Sequence, residues 1–340
     1  MRVNVIPITE LSDEDKQKWL NIQASNPNIL GPCFHPDLYL SVSEFIPNIY
    51  VALLYEGNSL VGFLPYLKDE EQSTARIIEF CDYQAIIGST SHKWDMNDIF
   101  KKVGLKTWQF RALTNFENIK LDKKSSEKME SVLVDLTDGF EKYLEDQKQK
   151  HKKSGFKEIL YKQRLIERKI GPIRYVSDCK DKEVLNSMLR WKIDRHNRDA
   201  DWIKLATGML DRIFYLKNST LSGVLSALYA GDALIGATFC IRSQGIMQGW
   251  INSFNPEFSK YSPGLLLVYY QIAELQTLNC NILDFGPGKG QYKWDFANSS
   301  RQFIRGSFAT NSLKENIKSI NWLYKRLKPI VRKINRISNR

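Results

Sequence analysis

Two stretches of this 340-residue chain share one pattern of apolar runs around a polar turn. VALLYEGNSLVGFLPYL covers residues 51–67, and LSALYAGDALIGATFCI covers residues 225–241. In each, a glycine marks the turn, and a Val-Gly or Ile-Gly pair lies inside the second run. Apolar runs around such a turn are typical of β-hairpins. The pattern recurs after about 170 residues, so it predicts two similar halves, each built around a hairpin.

Both halves follow the order strand, helix, hairpin, strand, helix, strand. Outside the hairpins, the predicted strands are residues 3–8, 76–80, 107–113, 129–136, 173–178, 245–254 and 281–285. One predicted helix starts at Ser12, and three others cover residues 92–104, 181–198 and 262–279. This alternation predicts an α/β fold with mixed (α+β) sheets. We expect tandem domains over residues 1–140 and 171–312, joined by a charged helical segment over 141–170 and followed by a C-terminal helix over 313–340.

Composition excludes several classes of protein. The chain is 43% hydrophobic and 26% charged, and no apolar run approaches the ~20 residues of a membrane span. The N-terminal residues lack the apolar core of a signal peptide, so we expect a cytoplasmic protein. Five widely spaced cysteines without a C-x-x-C pair, and four histidines that never pair at metal-ligand spacing, predict neither a disulfide framework nor a metal site.

The run DFGPGKGQYKWDF, residues 284–296, imitates several nucleotide-binding motifs. A kinase needs H-R-D about 20 residues before D-F-G, whereas RHNRD lies at 195–199. A phosphate loop needs the spacing G-x-x-x-x-G-K-[S/T], which is absent from the run. We therefore interpret Asp284 and Phe285 as the end of a strand, followed by a tight turn.

A better anion site lies upstream. The predicted strand GWINSF leads through NPEFSKYSPG into a helix that starts at Pro263. Free N–H groups at a helix start favour anions, and Lys260 and Gly264 lie at that start. An ordinary helix start capped by Ser262 is the alternative.

Several short motifs together resemble one known family. They are YSPGLLL at 261–267, D-F-x-x-G-x-x-x-Y-K-x-x-F at 284–296, FHPDL at 34–38, GFLP at 62–65 and the pair Asp82-Tyr83. In order and spacing they are similar to the CelD-type exopolysaccharide-biosynthesis branch of the GNAT acyltransferases, which is related to the Fem-type aminoacyl transferases. The resemblance extends to about residue 310. It implies two tandem GNAT-like domains, with acyl-CoA bound by the second and the acceptor between them. KYSPG replaces the usual glycine-rich pyrophosphate loop.

The resemblance also implies roles for individual residues. Amide formation requires a base, donors for the oxyanion and a site for the acyl donor. The candidates for the base are Asp284, Asp82 and His196; those for CoA binding are Asn252, Ser253, Lys260, Tyr261, Ser262 and Gly264; those for substrate binding are His35, Tyr83, Tyr292, Lys293 and Trp250. Each candidate base has a structural alternative: Asp284 can cap a turn, Asp82 can pair with a basic residue, and His196 can simply face solvent.

The leading hypothesis is a CoA-dependent N-acyltransferase. Its acceptor would be the amine of a nucleotide-linked sugar, such as a dTDP-amino-dideoxyhexose, for O-antigen, capsule or exopolysaccharide. No metal and no nucleic-acid partner are expected. The alternatives are a Fem-like transferase that uses aminoacyl-tRNA and a non-catalytic scaffold of polysaccharide assembly.

The basic excess is concentrated at the C-terminus. The net charge is +11, and residues 314–340 contain nine Lys or Arg and one Glu. Isoleucines and leucines recur there at helical spacing, which predicts a basic amphipathic helix. Such a helix either packs on the second domain or contacts an anionic inner-membrane surface.

If the segment contacts membrane, the full chain will bind vesicles that contain anionic lipid, and this binding will weaken as salt rises. Deletion of residues 314–340 will abolish it. Vesicle co-sedimentation measures both effects, with neutral vesicles as the control. Equal binding before and after deletion would contradict the prediction.

Overall fold

A computed structural model describes residues 1–120, 126–150, 155–288 and 290–310. Its strands are β1 Arg2–Pro7, β2 Ile49–Glu56, β3 Ser59–Asp69, β4 Thr74–Arg76, β5 Ile87–Gly88, β6 Thr107–Leu113, β7 Ser126–Asp135, β8 Ile173–Val176, β9 Ser222–Ala230, β10 Ala233–Ser243, β11 Ile246–Phe254, β12 Ile282–Asp284 and β13 Ser299–Ala309. Its helices are α1 Asp13–Ala24, α2 Pro36–Ser43, α3 Met96–Val103, α4 Phe140–Lys150, α5 Gly155–Lys169, α6 Lys182–His196, α7 Ala200–Phe214, α8 Pro263–Ala273 and α9 Gln291–Phe296. The predicted mixed α/β class is confirmed.

Both predicted hairpins are present. β2 pairs antiparallel with β3, and β9 pairs antiparallel with β10. Gly57 and Gly231 occupy equivalent turn positions with φ of 56° and 55°. Glycine adopts this left-handed conformation at little cost, and other residues rarely do. Each pair also has a register shift close to the turn, so the sequence repeat corresponds to a structural repeat.

The two halves share one continuous sheet. Its strand order is β1-β2-β3-β4-β6-β13-β7-β12-β11-β10-β9-β8, and β5 pairs with β3 beside this path. The halves meet where β7 pairs antiparallel with β12. β13, which follows the second half in sequence, lies between β6 and β7 of the first half. The predicted domains, residues 1–140 and 171–312, do not anticipate that a strand of the second domain pairs with two strands of the first. The domain boundaries themselves stay a prediction.

Helices cover both faces of the sheet. On one face, α1, α2, α6 and α7 share a core with Phe239 and Ile251. On the other face, α4, α5 and α8 share a core with Cys240 and Met247. Adjacent residues of a strand point to opposite faces, and Phe239 and Cys240 of β10 follow this rule. α6 and α8 therefore lie on opposite sides of the strands that they both contact.

Three details differ from the sequence predictions. The strand predicted over 76–80 ends at Arg76, and Phe80 adopts a φ of 66°, which is incompatible with an extended strand. The helix predicted over 262–279 ends at Ala273. α2, α7, α9, β5 and β13 were not predicted. The charged segment over 141–170 contains α4 and α5, while the predicted helix over 313–340 lies outside the described residues.

Among the described residues, no helix combines the length and apolar character needed to cross a membrane. The same residues contain no group of three or more His, Cys, Asp or Glu side chains that could hold a metal ion.

The position of β13 makes Phe308 part of the first half's core. Its side chain is 2% exposed, and its ring stacks on Phe100 with centroids 5.3 Å apart. We expect Phe308→Ala to lower the free energy of unfolding by about 3–5 kcal/mol, because it leaves a cavity between β13 and α3. Urea denaturation measures the change.

The control is Ser307→Ala, an exposed position on the same strand, where we expect a change below about 0.5 kcal/mol. Similar small losses for both variants would show that β13 does not stabilise the first half.

Candidate active site

The sheet separates between β11 and β12. Their parallel pairing covers three positions and ends at Gln248 and Asp284. β12 stops there, whereas β11 continues to Phe254. β11 also carries a bulge, because Ile251 pairs with Phe239 and Gly249 pairs with Cys240, which leaves Trp250 as the extra residue. Bulges bend a strand and redirect its side chains. Residues 249–254 therefore have no strand partner on the β12 side.

A cavity of about 610 Å³ occupies this separation. A Cβ added at Gly249 would meet no atom within 4 Å, so the cavity reaches the backbone of β11. Its lining residues are Lys192, Arg195, His196, Thr238, Gly249, Trp250, Ile251, Asn252, Phe254, Ser259, Ser262, Gly264, Leu265, Val268, Gln271, Leu283, Phe285, Tyr292 and Lys293. These include three Lys or Arg residues and one histidine, and no carboxylate.

The cavity contacts elements from both faces of the sheet. Gly264, Leu265 and Val268 belong to α8, and Lys192, Arg195 and His196 belong to α6. Because α6 and α8 lie on opposite faces, the gap beside β11 connects the two faces. A ligand can approach this strand edge from either side.

The start of α8 forms one wall. Ser262 occupies the predicted N-cap position with a φ of 53°, but its side chain makes no capping bond. A Cβ on Gly264 would lie 3.4 Å from the ring of Phe254, an ordinary contact. Lys260 and Tyr261 do not line the cavity: the Lys260 ammonium lies over the Tyr261 ring at 4.9 Å, and Tyr261 is buried in the core.

Asp284 lies behind the cavity in a buried polar network. Its Oδ1 accepts from the Gly286 amide at 2.7 Å and the Tyr83 hydroxyl at 2.9 Å, and the Ser131 hydroxyl lies 3.2 Å away. Arg301 Nη1 lies 3.6 Å from Oδ2. The carboxylate is 1% exposed. Asp284 joins β12 to the first half and does not line the cavity. Its position therefore favours a structural role over the role of the base. Tyr83, in the same network, also does not reach the cavity.

Asp82 and Lys293 flank the turn after β12. The Asp82 carboxylate accepts from Gln248 Nε2 at 3.2 Å, and Arg111 Nη1 lies 3.9 Å away. Burial is the main cause that raises the pKa of Asp82, Asp284 adds to it, and Arg111 and Lys293 oppose it. The side chain is 29% exposed. It lies beside the cavity wall but does not line it.

Lys293 reaches the cavity from α9. Its ammonium donates to the carbonyl oxygens of Phe285 at 2.7 Å and Gly286 at 3.3 Å. Burial lowers the pKa of Lys293, although Asp284 and Asp82 oppose the shift. Two of the three N–H groups are used in these bonds, so a third is available to a ligand.

The remaining predicted residues divide between the cavity and other places. The cavity brings together His196, Asn252, Ser262, Gly264, Trp250, Tyr292 and Lys293. Ser253 is buried. His35 is fully buried: its Nδ1 accepts from the Asp37 amide at 3.1 Å, and Nε2 lies 2.8 Å from Thr220 Oγ1. Burial lowers the pKa of His35 to about 4. It therefore caps α2 and joins the two halves, and this position does not favour substrate binding.

Sequence reasoning predicted His196 but missed Lys192 and Arg195 on the same helix. Lys192, Arg195 and His196 are spaced i, i+3 and i+4, which places them on one face of a helix. That spacing was a signal within a segment already predicted as helical. The cavity contacts of Phe254, Thr238 and Gln271 had no comparable signal, because they depend on the position of the sheet separation.

Comparison with known proteins supports the acyltransferase interpretation. Residues 153–294 match the sequence model of the family described as acetyltransferase (GNAT) domain. Residues 153–294 are therefore similar to a GNAT acetyltransferase domain. This confirms the expected acyltransferase, while the CelD-type assignment stays a prediction. No curated protein matches.

Two solved structures show the same overall fold as the chain. FemX aligns over 93% of this chain and 99% of its own, with a TM-score of 0.59 and 10% identity. The C-terminal domain of a protein assigned as lysylphosphatidylglycerol synthetase, from Agrobacterium fabrum, aligns over 92% of this chain and 96% of its own, with a TM-score of 0.51 and 10% identity. At these identities the likeness concerns the fold alone.

Asp82 provides a test of the site's electrostatics. Because folding raises its pKa above the ordinary 3.8, the ionised form destabilises the folded state at pH values above the folded pKa. We expect Asp82→Asn to increase stability at pH 7 and the gain to disappear as the pH falls below 3.8, where Asp82 is protonated in both states. Urea denaturation between pH 3.5 and pH 7 measures the difference from wild type.

Glu130→Gln is the control, because Glu130 is an exposed acid that is not among the groups that shift the pKa of Asp82. We expect it to change stability little at any of these pH values. A loss of stability in Asp82→Asn at pH 7 would show that the pairing with Arg111 and Lys293 outweighs burial.

Proposed function

We propose that this protein is a CoA-dependent N-acyltransferase. Its acceptor is the amine of a nucleotide-linked sugar, such as a dTDP-amino sugar, in O-antigen, capsule or exopolysaccharide biosynthesis. The observation that carries the proposal is the separation of β11 from β12, which leaves the β11 edge without a strand partner beside the start of α8. The GNAT family match includes both features.

The β11 edge suits the donor. Residues 249–254 offer backbone N–H and C=O groups that can bond the amides of an extended acyl-CoA arm, as an added strand would. The start of α8, with Ser262 and Gly264, suits the pyrophosphate, since a helix N-terminus favours anions. The proposed oxyanion donor remains a backbone N–H at Asn252 or Ser253; only one of the two can face the open edge, because adjacent N–H groups of a strand point to opposite edges.

His196 is the proposed base. Its ring lines the cavity, and burial together with Lys192, Arg198 and Arg195 lowers its pKa. It is therefore neutral at pH 7 and able to accept the proton that the sugar ammonium must lose. The amine nitrogen then bonds to the thioester carbonyl carbon and the C–S bond breaks. The second amine proton passes to the departing sulfur, so the products are the amide and the CoA thiol. In this proposal, the Lys293 ammonium donates a hydrogen bond to the leaving sulfur.

Catalysis in this scheme needs no enzyme nucleophile. All five cysteines are buried. Burial raises the pKa of Cys33 to about 12 and that of Cys240 to about 11, so these thiols stay protonated and unreactive at neutral pH.

Gly249→Val tests the donor site. A Cβ at this position would meet no atom within 4 Å, and valine suits a strand. We expect the variant to keep its melting temperature and to lose acetyl-CoA affinity by about tenfold or more, roughly 1.4 kcal/mol. Isothermal titration calorimetry with acetyl-CoA measures the affinity, and Ser307→Val, on an exposed strand position outside the cavity, is the control.

Activity is tested by thiol release from acyl-CoA with a panel of dTDP- and UDP-linked amino sugars. We expect release with at least one acceptor and loss of release in Gly249→Val. Wild-type protein that binds acetyl-CoA without any release would indicate the scaffold alternative. Binding of aminoacyl-tRNA in place of acetyl-CoA would indicate the Fem-like alternative.

A further inference from the structure

The α6 wall of the cavity carries positive charge without a carboxylate partner. Lys192 and Arg195 line the cavity, and neither forms an ion pair within the part of the chain that the structure describes. The Arg195 guanidinium lies over the ring of Phe254, 3.8 Å from its centroid. This contact packs the guanidinium against another residue that lines the cavity.

Lys192 is the less exposed of the two. Its side chain is half-buried, and burial lowers its pKa, with Arg198 and Arg195 adding to the effect. A half-buried cation beside other cations is unfavourable unless an anion approaches it. The cavity lining supplies no such anion, so a ligand with negative charge would relieve the repulsion.

The position of α6 indicates which ligand this is. In the proposed function, the donor runs along β11 with its pyrophosphate at the start of α8. α6 lies on the opposite face of β10 and β11, in the core that contains Phe239 and Ile251. The acceptor must reach the thioester from the side that the donor leaves open, which is the α6 side.

We propose that Lys192 and Arg195 bind a phosphate group of the acceptor. The inference rests on the proposed function and adds the residues that select a phosphorylated acceptor over a neutral amino sugar. Arginine provides a planar pair of N–H donors that matches two phosphate oxygens, and lysine provides a point charge. His196, one position after Arg195, would then lie close to the amine end of the same acceptor.

The test compares two ligands in three variants. The ligands are dTDP, as the probe for the acceptor's diphosphate, and acetyl-CoA, as the donor. The variants are Lys192→Gln, Arg195→Gln and the double substitution. Isothermal titration calorimetry should show dTDP affinity reduced by about tenfold or more in the double variant, with acetyl-CoA affinity within about twofold of wild type.

Arg198→Gln is the matched control. Arg198 lies just beyond the same helix, and its guanidinium lies over Trp202 at 4.7 Å. It does not line the cavity, so both affinities should be retained. The melting temperature of each variant shows whether the fold is intact.

Three outcomes would overturn the inference. The first is wild-type protein that does not bind dTDP. The second is unchanged dTDP affinity in the double variant. The third is a selective loss of acetyl-CoA affinity, which would assign the two residues to the donor's phosphates.

Failure of the proposed function is a separate result. Wild-type protein that binds no acetyl-CoA would end that proposal, while the dTDP measurement would still decide whether Lys192 and Arg195 bind phosphate. A tRNA that binds through these residues, with no binding of dTDP, would assign the wall to nucleic acid and contradict the inference.

Discussion

A buried carboxylate joins the two halves of the sheet. Asp284 ends β12, and its oxygens contact Tyr83 and Ser131 of the first half together with Arg301 of β13. Loss of one partner of a buried pair leaves an uncompensated charge, which typically costs about 3–5 kcal/mol. The network therefore constrains where β12 stops and how the turn at Gly286 begins.

The cavity follows from that end point. Because β12 stops at Asp284 while β11 continues, the strand edge from Gly249 onward has no partner there. The turn then leads into α9, which brings Lys293 to the cavity. The position of Asp284, one of the three candidate bases, thus favours a role in shaping the site over a role as the base. Asp82, next to Tyr83 in the chain, lies closer to solvent and remains ionisable.

Local patterns predicted the local parts of this structure. The two hairpins depend on apolar runs and on glycines with positive φ, and both were found from sequence. β13 was missed because its pairing with β6 joins positions far apart in the chain, which no short window reveals. The strand predicted over 76–80 failed because Phe80 adopts a left-handed conformation that its residue type disfavours.

The sequence predicted only part of the site, because local motifs do not show which residues long-range packing brings together. Residues at element ends, such as Ser262, Gly264, Tyr292 and Lys293, were found from motifs, and they do meet in the cavity. Tyr261 belongs to the YSPGLLL motif, but the packing of the core buries it away from the cavity. Lys192 and Arg195 reach the cavity because α6 lies opposite α8, and local sequence patterns do not show this arrangement.

The position of β13 has a consequence for how the chain is made. Phe308 pairs with Trp108, 200 residues earlier. On the ribosome, the first half emerges with β6 and β7 lacking the strand that belongs between them. Its sheet can close only after β13 has left the exit tunnel, so the first half should mature late, although N-terminal domains generally fold first. Until then the unpaired strands are open to association with other chains.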